Sequence, residues 1–171
     1  LNPLKALKTI QNIAEILKQE KPDIIHTFML KPNIYGSFAA KIAGIPYVIN
    51  SLTGLGSFYI QKSLKTTLLR ILIEKLNFFA FKIAKKVLFQ NQDDLNLYVQ
   101  KGLVPREKTI LIKGSGIDTA LFSPFSQDEI QQTRKNLKIP QDKIVLMVAR
   151  AILHKGIKEY YQAAKIITQQ N

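Results

Sequence analysis

The sequence predicts an α/β fold built on a parallel sheet, and three observations carry that prediction. Short apolar runs with strand character alternate with amphipathic helical stretches along most of the 171 residues. Glycine, proline or a capping residue punctuates nearly every change of period. The grammar breaks once, at KGSGIDTALFSPF (Lys113–Phe125), which has no apolar period and carries two glycines and a proline. An alternating pattern of this kind implies a sheet covered by helices on both faces. Ligands of such sheets sit beyond the carboxyl ends of the strands.

Taken in order, Leu4, Leu7, Ile10, Ile13, Ala14 and Leu17 trace one face of a first helix, which Pro22 stops. Asp23–Phe28 (DIIHTF) reads as a short buried strand. Residues Asn33–Ala43 follow as a helix that Pro32 starts, Asn33 caps and Gly44 ends. Pro46–Asn50 is a second strand, and Ser51–Ser57 a glycine-bearing loop. Lys62–Lys85 is a long helix, Lys86–Gln90 a third strand, Asn91–Lys101 a helix closed by Gly102, and Thr109–Ile112 a fourth strand. Beyond the break, Ser126 and Glu129 have the spacing of a capping box. Lys143–Ala149 (KIVLMVA) is a continuous apolar strand, and a final helix follows Gly156.

Composition narrows the function classes. Hydrophobic content of 46% and charged content of 22% suit a globular protein, and a chain this long can bury a sizeable core. There is no cysteine, so disulfides and thiolate metal sites are excluded; the two histidines, His26 and His154, lie too far apart in sequence to suggest zinc. No apolar run reaches the length of a membrane span, and no secretory signal pattern opens the sequence. The net charge of +13 calls for an anionic partner: nucleic acid, acidic lipid or a phosphate-bearing substrate. Aromatic residues do not interleave with the cations as single-strand binders require, so nucleic acid is not the expected partner. A nicotinamide dehydrogenase is not expected either, because no strand leads into G-x-G-x-x-G.

The sharpest local pattern is VARAILHKGIKEYYQAAKII, Val148–Ile167. Arg150 and Lys155 stand in a loop between an apolar strand and a helix opened by Gly156. Two cations facing free N–H groups at a helix N-terminus suit a phosphate or diphosphate. The segment resembles the donor-diphosphate segment of retaining glycosyltransferases of family 4, which have the GT-B fold. PDIIHTFMLKPNIYGSFAAKIAGIPYVINSLTGLG (Pro22–Gly56), FQNQDD (Phe89–Asp94) and GSGID (Gly114–Asp118) are similar to the same family in the same order. Within it, the first block is closest to enzymes acting on undecaprenyl-diphosphate-linked glycans in the biosynthesis of surface polysaccharide or glycoprotein.

The resemblance implies a GT-B-like chain in three parts. Residues 1–113 would form a partial N-terminal, acceptor-side Rossmann-like domain, 114–125 an interdomain linker, and 126–171 the start of a C-terminal, nucleotide-sugar-binding Rossmann-like domain. It implies transfer of a sugar, with retention, from a nucleotide-sugar, expected to be a UDP-sugar, to a lipid-linked or surface-glycan acceptor. It implies no cofactor and no metal, since Arg150 and Lys155 would neutralise the leaving diphosphate. The expected place is the cytoplasmic face of an anionic membrane, held peripherally. Two family features are missing, the glycine loop after the first strand and a Glu-x7-Glu segment. The chain is therefore expected to be a central fragment, inactive on its own. The rival expectation is a catalytically inactive paralogue that binds phosphate or anionic membrane.

Other candidates carry two readings each. His26 either meets a ligand at the strand end or is a satisfied histidine. Lys31 and Asn33 are acceptor-side candidates at the start of the Asn33–Ala43 helix: Lys31 would reach a lipid diphosphate, whereas Asn33 is either a cleft residue or simply the helix cap. Thr53, Gly54 and Gly56 make either an anion-binding loop or a plain turn. Asn91 is either a cleft residue or, as the favoured reading, a helix cap, with Asp93 and Asp94 serving the helix dipole rather than acid–base chemistry. Gly114, Ser115 and Gly116 are cleft candidates. The Lys62–Lys85 helix pairs a broad apolar surface with Lys62, Lys65, Arg70, Lys75, Lys82, Lys85 and the adjoining Lys86. It is either an interfacial helix on anionic lipid or a core helix buried around much of its girth.

Overall fold

A computed structural model describes residues 3–55, 63–139 and 143–169, apart from the side chain of His154. The chain forms two compact units, Leu1–Asp118 and Thr119–Asn171. The first contains a parallel four-stranded sheet in the order β1-β2-β3-β4, with β1 at Ile24–Phe28, β2 at Tyr47–Leu52, β3 at Lys86–Phe89 and β4 at Thr109–Leu111. Its helices are α1 (Pro3–Glu20), α2 (Leu30–Ala43), α3 (Leu64–Ile83) and α4 (Gln92–Gln100).

Register places Ile25 beside Val48, Thr27 beside Asn50, and Leu52 beside Phe89. Paired residues of a parallel ladder point to one side, so this row forms the inner face. Leu30 and Ala40 of α2, Phe81 of α3, and Leu95 and Tyr98 of α4 pack with Val48, Leu52, Val87 and Phe89 into one core. The alternate row is open: Ile24, Phe28 and Tyr47 are each 52–54% exposed, and His26 stands among them. The expected cover on both faces, and the expected burial of β1, are therefore not found among the described residues. The cause is topological. Each crossover steps one strand in the same direction, and right-handed crossovers then put α2, α3 and α4 on a single face.

Local signals account for the helix ends. Gly44, with φ of 77°, ends α2, and Ile45 N–H returns to the Ala40 carbonyl at 2.9 Å. Leu103 N–H does the same to Tyr98 at 2.9 Å beyond α4, across Gly102. Ser63 and Thr66 form a capping box at the start of α3. At its other end the Lys108 amine donates to the carbonyls of Phe81, Lys82 and Ala84 at 3.1, 2.9 and 2.8 Å. These are acceptors a helix leaves unpaired. Burial, with the charge of Lys85 close by, pushes the Lys108 amine below the ordinary lysine value.

The second unit contains α5 (Gln127–Asn136) and α6 (Ile157–Gln169). The Ser126–Glu129 capping box is formed, and the Ser126 hydrogen bonds hold the Glu129 carboxyl below its usual value. The strand expected at Lys143–Ala149 is absent. The backbone there makes no ladder, and Val145, Leu146 and Val148 are exposed. A strand exists only with a neighbour to take its N–H and C=O groups, and the described residues of this unit supply none.

One close approach fixes how α2 lies on β1. A Cβ at Gly36 would collide with Cγ2 of Thr27. Thr27 cannot swing aside cheaply, because its hydroxyl donates to Asn33 Oδ1 and accepts from Asn50 Nδ2, both at 2.7 Å. Gly36→Ala should therefore destabilise the fold by about 1–3 kcal/mol. A urea unfolding midpoint unchanged from the parent would contradict this packing.

Candidate functional site

Parallel strands bring their carboxyl ends to one edge, and the segments that follow β1, β2, β3 and β4 all leave from there. β1 passes into α2 with almost no loop. Met29 turns the chain with φ of 77° and ψ of 158°, a conformation rare for a residue with a side chain. Its N–H donates to the Ser51 carbonyl at 2.9 Å, and its carbonyl accepts from Asn33 N–H at 3.0 Å, closing the first helical turn. The helix consequently begins at Leu30, and Asn33 is not its cap. Pro32 falls in the first turn, where its missing N–H costs nothing.

Asn33 is instead fully buried. Its Nδ2 donates to the Ser51 carbonyl at 3.1 Å, and its Oδ1 accepts from Thr27. Asn50, also fully buried, donates to Thr27 Oγ1 and to Ser37 Oγ at 3.1 Å. These groups join β1, β2 and α2 just beneath the sheet edge. On the open face, His26 Nε2 lies 2.8 Å from Ser51 Oγ, and the ring packs against Phe28 at 4.2 Å between centroids. His26 is thus an exposed histidine with a hydroxyl partner at the exit of β2. Neither Ser51 nor the turn at Met29 was identifiable from sequence, because both depend on the register between β1 and β2.

Lys31 belongs to a different place. Its amine sits 5.3 Å from the centroid of the Tyr35 ring, and both residues line a cavity of about 460 Å³ between α1, β1 and α2. Thr53 and Gly54 are exposed beyond β2, with Gly54 at φ of 151°. Gly56 and Lys62 lie outside the described residues. Asn91 caps α4: its Oδ1 accepts from Asp94 N–H at 2.7 Å and its Nδ2 donates to the Asp94 carboxylate at 2.9 Å. Beyond β4, Gly114 and Gly116 both take positive φ, and Ser115 Oγ is 3.5 Å from Gln90 Nε2 at the end of β3.

In the second unit, Arg150 and Lys155 are both exposed in the segment before α6. Ile152 N–H donates to the Arg150 carbonyl at 2.8 Å, and a short 3-10 turn at Leu153–Lys155 follows. Gly156, at φ of 79°, ends that turn, and its carbonyl accepts from Tyr160 N–H at 2.8 Å. Lys155 therefore stands on a tight turn directly ahead of a helix, and Arg150 lies in the irregular segment that leads into that turn. Among the described residues, no group of three or more His, Asp or Glu side chains is placed to hold a metal ion, and no helix is long and apolar enough to cross a membrane.

Comparison with known proteins adds two findings. A family model described as glycosyl transferase 4-like matches residues 1–91. The chain is also 38% identical over 169 residues to the N,N'-diacetylbacillosaminyl-diphospho-undecaprenol alpha-1,3-N-acetylgalactosaminyltransferase of Campylobacter jejuni. It is 27% identical over 169 residues to the UDP-Gal:alpha-D-GlcNAc-diphosphoundecaprenol alpha-1,3-galactosyltransferase of Escherichia coli. Each alignment takes in 98% of this chain but 45% and 42% of the relative, so the chain spans less than half the length of these proteins.

The buried amides make the edge testable on its own. Asn33→Leu keeps the volume but removes the donor to Ser51 and the acceptor of Thr27, so it should cost about 1–3 kcal/mol. Asn91→Ala, which removes only a surface cap, should cost about 1 kcal/mol. A loss for Asn33→Leu smaller than that for Asn91→Ala in urea unfolding would show that the buried network contributes nothing special.

Proposed function

Because the chain belongs to the glycosyl transferase 4-like family, we propose that it serves an enzyme that moves a sugar from a nucleotide-sugar to a lipid-diphosphate-linked glycan at a membrane surface. The observation that carries this reading is the alignment of nearly the whole chain with two transferases named for diphospho-undecaprenol substrates. The donor is a UDP-sugar, as the name of the second relative suggests, and the configuration at the sugar is retained.

In this reading the sugar C1–O bond to the diphosphate breaks and a new bond forms from C1 to an acceptor hydroxyl oxygen, whose proton is released. Charge grows on the departing nucleoside diphosphate. Arg150 and Lys155 meet that charge, and the N–H groups at the start of α6 add to it. The exits of β1 and β2, with His26, Ser51 and Thr53, serve the acceptor side. No nucleophile is assigned.

The test is turnover of the transferase that contains this segment. Arg150→Ala and Lys155→Ala should each lower the rate of UDP release by on the order of a hundredfold or more, since each removes a fixed group facing developing charge. Rates within a few-fold of the parent for both variants, with a polyprenyl-diphosphate-linked acceptor, would refute the assignment.

A further inference from the structure

α3 separates two apolar surfaces that look merged in the sequence. Successive helical residues turn by about 100°. Asn77, Ala80 and Phe81 fall on the side packed into the core. Leu64, Leu68, Ile71, Leu72 and Phe79 fall together on the opposite side, in an arc of about 100°. That arc faces solvent: Leu64 is 79% exposed, Leu68 61% and Leu72 50%. Single exposed leucines are ordinary. Five large apolar residues aligned along one helix mark an interaction surface.

Charge identifies the occupant. Lys75 and Lys82 lie within the same arc and Lys65 at its margin, and all three are exposed. Lys82 rests over the Phe78 ring at 4.5 Å. The acid of α3, Glu74, points elsewhere and pairs with Lys101. Arg70 turns toward the packed side and is only partly exposed, so it does not belong to this surface. An apolar stripe threaded with cations and free of acids matches an anionic bilayer, where leucines enter the acyl boundary and lysines meet headgroups. A protein partner of ordinary composition would call for acids as well.

We propose that the outer stripe of α3, from Leu64 to Lys82, is the surface by which this protein rests on anionic lipid. The proposal builds on the transferase reading, which requires access to a lipid-linked acceptor, and narrows it to one face of one helix. The helix is suited to the load, because its inner side is fixed in the core and its C-terminal carbonyls are held by Lys108.

The experiment is co-sedimentation of the transferase carrying this segment with phosphatidylcholine vesicles, with and without phosphatidylglycerol. The charge variant is Lys65→Gln/Lys75→Gln/Lys82→Gln, and the apolar variant is Leu64→Gln/Leu68→Gln/Leu72→Gln. Lys135→Gln/Lys138→Gln/Lys158→Gln removes the same charge from the second unit. The parent and this last control should bind the anionic vesicles alike. The charge variant should bind on the order of tenfold to a hundredfold more weakly at low salt. The apolar variant should lose the binding that persists at high salt. Circular dichroism checks that each variant is folded.

Binding of either α3 variant equal to the parent overturns the proposal, as does a parent that ignores anionic vesicles. A stripe variant that changes the sedimenting mass without lipid also overturns it, in favour of a second copy of the chain. Sugar transfer to a soluble short-chain acceptor is measured in parallel. Its absence in a parent that binds vesicles through α3 counts against the transferase reading alone.

Discussion

The first unit depends on a small group of buried amides and hydroxyls where an ordinary core would be apolar. Asn33 and Asn50 are fully buried, and each is tied to Thr27. Left unpaired, either carboxamide would cost more than a typical hydrogen bond returns. Satisfied together, they admit one arrangement, with α2 seated on β1 at Gly36 and β2 in register with β1. The Ser51 carbonyl accepts from both Asn33 Nδ2 and Met29 N–H. The turn at Met29 is therefore held by the same group that fixes the strands. An unusual backbone conformation persists where its surroundings over-determine it, and here they do so at the edge where parallel sheets present their ligand sites.

A second constraint is handedness. With the strands in sequential order, every connecting helix falls on one side, and among the described residues the sheet has one dressed and one bare face. His26 lies on the bare face and Lys31 in the cleft on the helical side. The two cannot act on one small group, although only four residues separate them. Neighbours in a sequence at a strand end diverge because strand residues alternate between faces and the following helix turns them again.

What was legible in the sequence follows the range of the interaction. The caps at Asn91 and Ser126 and the stops at Gly44 and Gly102 are settled within a few residues, and they stand where the sequence puts them. The α/β class was legible too, because alternating periods leave few architectures. Asn33 was misread as a cap since its real partners, Thr27 and the Ser51 carbonyl, are chosen by strand register. The strand expected at Lys143–Ala149 was misread for a related reason. An apolar run states a preference for burial, but a ladder needs a partner. The candidate site was legible to the extent that strand exits are; the pairing of His26 with Ser51 was not.

The long helix shows how far composition alone can go. Its apolar residues circle most of its girth, and from sequence a core helix and an interfacial helix give the same breadth. Structure separates them because burial has a direction: Phe81 is fully enclosed, whereas Leu64, four turns and more earlier along the same helix, is mostly exposed. The net charge of +13 acquires a direction by the same step. Arg70 turns toward the protein, Glu74 is neutralised by Lys101, and Lys65, Lys75 and Lys82 remain with the exposed leucines. A net charge alone attracts any polyanion. Cations set among exposed leucines favour an anion that also has an apolar interior, and duplex nucleic acid presents only the first of these.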